Sequence, residues 1–77
     1  MSERMFPLSL TAPGEKVQLE NIIGGQGIKK RLAALGLTPG IELIVIQDTG
    51  GPLLISVRDS RIALGRGLAH KILVSHK

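Results

Sequence analysis

The 77-residue sequence has no cysteine, no tryptophan and no tyrosine, and Phe6 is its one aromatic residue. Without cysteine, neither a disulfide nor a thiolate-held metal can brace the fold. The core must therefore be aliphatic, which a hydrophobic content of 43% allows. The missing aromatics also remove the ring platforms on which small single-strand nucleic-acid binders stack bases. Long apolar runs are absent as well: stretches such as residues 43–46 and 53–55 fall far short of the roughly 20 residues a membrane helix needs. The opening Met-Ser-Glu-Arg has no apolar segment of signal-peptide type. The expectation is a cytoplasmic domain without direct membrane insertion, which leaves attachment to a membrane protein open.

Acidic residues are scarce, six Asp/Glu against ten Lys/Arg, for a formal charge of +4. Such an excess suits nucleic acid, an anionic membrane or an acidic protein surface, or it serves solubility alone. The cations are grouped. Lys29, Lys30 and Arg31 stand together without an acid, and Arg58, Arg61, Arg66 and Lys71 form a second group interrupted by Asp59.

The chain is organised around residues 24–40. Ile28, Leu32 and Leu35 recur at i, i+4 and i+7, one apolar stripe of a short basic helix. Gly36 stands where a left-handed cap is cheapest, and Leu37 where such a cap packs back on Leu32. Pro39-Gly40 then turns the chain. On either side the pattern is strand. Residues 1–6 read as a loose leader to a single domain, 1–77. Residues 7–11 suggest an edge strand with Leu8 and Leu10 on one face. Residues 16–23 alternate until Asn21, where a bulge is expected. The β-branched segment 41–48 presents Ile41, Leu43 and Val45 on one face and Ile44 and Ile46 on the other. Its outer side needs a cover, supplied by this chain or by a partner. Residues 53–58 and 61–64 make a hairpin turning at Asp59-Ser60. Residues 65–71 have room for one helical turn, and a last strand follows with Ile72 and Val74 inward. A closed or nearly closed antiparallel barrel of five or six strands fits these elements, since closure removes exposed edges.

Catalytic chemistry finds no support: there is no nucleophile–base set and no facing pair of carboxylates. The glycines before the helix fail both phosphate-binding spacings, which would need glycine where Lys29 and Lys30 stand. His70 and His76 are the sole imidazoles. They are weak metal candidates, because a closed site needs about four ligands and none is a cysteine here. Binding of RNA or DNA through phosphates alone would be weak and salt-sensitive, and ranks below a protein-interaction role.

Several stretches together resemble the FeoA family of bacterial ferrous iron transport. The fairly specific one is Arg31-Leu32-Ala33-Ala34-Leu35-Gly36-Leu37-Thr38-Pro39-Gly40, similar to the family's Arg-Leu-x-x-Leu-Gly-Leu/Met-x-Pro-Gly signature. Leu10 with Pro13-Gly14-Glu15 resembles its leading segment. Ile62-Ala63-Leu64, Leu68-Ala69 and Ile72-Leu73-Val74 resemble its close. Two departures stand in loops: Gly50-Gly51-Pro52 lacks the usual aspartate before proline, and Gly65 replaces a common arginine. The resemblance implies a mainly β, SH3-like small antiparallel barrel with one inserted α-helix and a short C-terminal helical turn. It further implies a non-enzymatic partner of FeoB, the membrane permease with a cytoplasmic GTPase domain, peripheral at the inner membrane through that partner. A transition metal ion (iron or zinc) and a homodimer are carried as open expectations, and RNA or DNA binding as the alternative. The residues expected to meet the partner are Lys29, Lys30 and Arg31 on the helix, Ile44 and Ile46, and Arg58, Arg61 and Arg66.

Overall fold

A computed structural model describes residues 4–76. Its elements are β1 (Phe6–Pro7), a 3₁₀ turn (Leu8–Leu10), β2 (Lys16–Ile22), α1 (Gln26–Ala34), β3 (Glu42–Asp48), β4 (Leu53–Val57), β5 (Ser60–Leu64), α2 (Arg66–Ala69) and β6 (Ile72–Ser75). All pairings are antiparallel, in the order β1-β6-β2-β3-β4-β5. The sheet coils into the SH3-like form but stays open, since no ladder joins β5 to β1 among the described residues. Two register shifts aid the coiling. One lies in β2 between Leu19 and Asn21, the expected bulge, and the other in β3 between Val45 and Gln47. An extra residue bends its strand and increases the local twist.

The core follows the strand alternation. Val17, Leu19, Leu43, Val45, Leu53, Ile55, Val57, Leu64, Ile72 and Val74 are all buried. Phe6, Ile28, Ile41 and Ile62 are half-buried against them. Leu32 of α1 is fully buried and inserts the helix into this cluster. The helix then ends as Gly36 requires. Gly36 has φ +89, its N–H reaches Ala33 O at 2.9 Å, and Leu37 N–H reaches Leu32 O at 2.9 Å. These are the two bonds of a Schellman cap, closed by apolar contact between the residues at its ends. Leu37, not Leu35, completes the buried stripe. Leu35 sits at the cap, past the last helical residue, and is 47% exposed.

Further expectations are corrected. The edge strand at 7–11 shrinks to β1, which pairs through Phe6↔Val74 and Pro7↔Leu73. Beyond it Thr11 N–H closes back on Leu8 O at 3.0 Å. Leu8 is thereby turned into the core while Leu10 is 70% exposed, so the two leucines do not share a face. The hairpin turn is Arg58-Asp59, one residue earlier than expected, because Val57↔Ser60 is the last pair of the ladder. Of the leader expected at 1–6, residues 1–3 lie outside the described residues, Arg4 and Met5 are exposed without regular structure, and Phe6 belongs to β1.

Candidate protein-docking face

Strand register gathers several of the expected contact residues on one side of the sheet. Lys16 of β2 faces Ile44 of β3, Ile44 faces Ser56 of β4, and Ser56 faces Arg61 of β5. Residues that pair across antiparallel strands lie on the same face, so a row of cation, isoleucine, serine and cation crosses the outer surface. Ile44 is exposed there, and Ile46 is half-buried beside the bulge. Arg58, two residues beyond Ser56, joins this side at the hairpin tip. It holds a left-handed backbone with φ +56. Lys16, Ile41, Glu42, Ile44, Ser56 and Arg58 line a groove of about 420 Å³.

The helix cations are elsewhere. Lys29, Lys30 and Arg31 are exposed along α1, Arg31 in its last turn, and the entry to the helix is shaped by Gly24 at φ +142. Lys29 edges a smaller hollow of about 200 Å³ floored by Ile22, Ala33 and Leu37. Neither these three cations nor Lys16, Arg58 and Arg61 form an ion pair among the described residues.

Arg66 behaves differently. Its guanidinium pairs with the Asp48 carboxylate, and Nε donates to Gly50 O at 3.1 Å and Gly51 O at 3.2 Å. Asp48 Oδ1 also accepts from Gly50 N–H at 3.0 Å. Arg66 thus straps α2 to the loop between β3 and β4, and its charge is engaged within the chain. The histidines are separated by their partners. His70 Nδ1 lies 3.0 Å from Ser9 Oγ. His76 Nε2 lies 3.4 Å from Glu15 Oε1, and its ring packs on Phe6 at 4.9 Å. Glu15 is held below the ordinary carboxylate range, first by the Ala12 N–H that it accepts and then by His76. Among the described residues, no three His, Asp or Glu side chains gather as metal ligands.

The order of these elements and loops matches a known family. A family model of the FeoA domain covers residues 6–76. The chain belongs to the FeoA family. It is 44% identical over 70 residues to a Methanocaldococcus jannaschii protein named Fe(2+) transport protein A, a match spanning 91% of this chain and 85% of the relative. A crystal structure of an iron uptake regulatory protein, FeoA, superposes with a TM-score of 0.88 at 40% identity, over 94% of this chain and 97% of that one. A manganese-dependent transcriptional repressor shows the same fold, with a TM-score of 0.88 at 16% identity, in 44% of its own length and over 100% of this chain. FeoA is a family of ferrous iron transport, and no helix among the described residues is long and apolar enough to cross a membrane.

Of the residues expected to meet a partner, Ile44, Arg58 and Arg61 lie on one face of the sheet, which Lys16, not singled out by the sequence, also joins. Lys16 reads as an ordinary polar alternate of β2. Its place beside Ile44 follows from a register spanning 28 residues, which the 16–23 pattern alone does not contain.

Proposed function

We propose that this FeoA-family chain is a cytoplasmic accessory protein that docks on the cytoplasmic domains of a FeoB-type permease and modulates its ferrous iron uptake. One observation carries the reading. The exposed cations of α1 and of the outer sheet face have no ion pair among the described residues, and an exposed isoleucine, Ile44, lies within the sheet-face set. Unpaired cations around an apolar centre suit an acidic protein surface. Opposite charge across an interface speeds and orients the encounter, and apolar contact then holds it. Phosphate-directed binding lacks the exposed aromatics that hold bases.

The test is capture of the permease's purified cytoplasmic domains by the immobilised chain. The wild type should retain them, with a yield that falls as salt is raised. A variant carrying Lys29→Glu, Lys30→Glu and Arg31→Glu should retain less. Full retention by that variant removes the helix from the interface. Absence of capture by the wild type, from both the isolated domains and the full permease, contradicts the docking function.

A further inference from the structure

We infer that the groove on the outer sheet face is a two-cation clamp for an extended segment of a partner protein, of the pattern carboxylate–x–aliphatic–x–carboxylate. The inference rests on the docking reading above and names the chemistry that one of its surfaces recognises. Lys16 and Arg58 stand at opposite sides of the groove, with Ile44 between them and Ile41 in the wall. Two strand steps of about 4.8 Å, with the shorter step from Ser56 past Val57 at the end of β4 to Arg58, place the two cationic backbones roughly 10–12 Å apart on the diagonal. An extended chain puts its residues i and i+4 on one face about 13 Å apart, with i+2 midway. Carboxylates at i and i+4 thus meet Lys16 and Arg58 while an aliphatic side chain at i+2 falls against Ile44, on its Glu42 side. Charge agrees with the spacing: Lys16 and Arg58 face a single acid, Glu42, and Arg61 extends the row.

Backbone strain at Arg58 points the same way. It is the one non-glycine residue with positive φ among the described residues. Glycine or asparagine takes that conformation with less strain. A strained backbone that aims a guanidinium over a groove is the kind of feature binding sites retain at some expense of stability. Glu42 and the isoleucines disfavour a phosphate backbone as the occupant, so a protein segment is the better fit.

The experiment uses the isotope-labelled full chain and a capped synthetic peptide containing Glu-Ser-Leu-Ser-Glu, with a lysine-for-glutamate peptide as control. The acidic peptide should shift the NMR resonances of Lys16, Ile44, Ser56 and Arg58, and the control should not. Lys16→Glu and Arg58→Glu should each weaken binding roughly tenfold or more, while Lys71→Glu, an exposed cation away from the groove, should leave it unchanged. Arg58→Gly should also weaken binding, and a melting curve at or above wild type shows that this loss is not unfolding. Absence of binding at millimolar peptide, shifts confined to α1, or equal binding of both peptides overturns the clamp. So does a single-stranded oligonucleotide that shifts these residues more strongly than the peptide. Permease capture by wild type that Lys16→Glu with Arg58→Glu does not diminish overturns the clamp and leaves docking intact. Failure of the wild type to capture the permease, with peptide binding as described, overturns the docking reading alone.

Discussion

Replacing Arg58 with glycine should stabilise the protein. Arg58 sits at the first turn position of the β4–β5 hairpin with φ +56. A residue with a Cβ in the left-handed region costs roughly 1–2 kcal/mol, because Cβ crowds the following carbonyl. Glycine removes that strain but adds about 0.5–1 kcal/mol of backbone entropy to the unfolded chain. The net gain is about 0.5–1 kcal/mol, since the exposed Arg58 side chain makes no hydrogen bond or ion pair that the substitution would remove. For a domain of this size that corresponds to a rise in Tm of roughly 2–8 °C. Asparagine, tolerant of this conformation without glycine's entropy, should do at least as well. Asp59→Gly is the control, because Asp59 lacks a positive φ and gains only flexibility. Urea unfolding monitored by circular dichroism, with m held constant, gives the difference directly. Neutral or destabilising Arg58→Gly and Arg58→Asn would refute the strain argument. A stabilised Arg58→Gly that also binds its partner less well identifies strain kept for function.

Leu32→Ala should be severe. Leu32 is fully buried, such truncations cost about 2–5 kcal/mol, and a chain of this length holds only about 4–12 kcal/mol in total; thermal unfolding by calorimetry checks it. Gly24→Ala should cost about 1–2 kcal/mol, chiefly through its φ of +142, since the 2.9 Å approach to Ile28 Cδ1 involves the movable end of a side chain. Arg66→Ala should destabilise by roughly 1 kcal/mol, with amide exchange accelerating in the β3–β4 loop at Gly50 and Gly51. Glu15 is held below its ordinary value of 4.5, so its contribution is fully present above that value and is lost as pH falls through the lowered one. Glu15→Gln should flatten the acid limb of stability against pH, with the two curves converging in strong acid; a variant curve that stays parallel to wild type contradicts this.

How legible the molecule was depended on whether the signal was local. Gly36 ends α1 for a reason contained in one residue, so the cap and the buried Leu37 were readable. The alternation of Ile72 and Val74 gave β6, and Asn21 marked the β2 bulge nearly in place. The hairpin turn was misplaced because Asp59-Ser60 carries ordinary turn chemistry, whereas an arginine in the left-handed region carries no sequence signal. Leu10 was misassigned because a 3₁₀ turn after Pro7 moves it off the face that two-residue periodicity predicts. Arg66 looked like part of a free cationic cluster, and its engagement depends on Asp48, 18 residues earlier. The row across the outer sheet face was legible only in pieces. Ile44 announced itself as apolar on the wrong face of a strand, but register, set by long-range pairing, decided that Lys16 and Ser56 are its neighbours and that Arg61 follows Ser56 in the row.

The most direct test of the account is a calorimetric titration of the permease's cytoplasmic GTPase domain with this chain at two salt concentrations, about 50 and 150 mM. Binding should be measurable with the wild type and weaken at the higher salt. Arg58→Gly should weaken it further at either concentration while raising the melting temperature. No binding at either concentration, or binding that is indifferent to both salt and Arg58, would contradict a cationic sheet face as the docking surface.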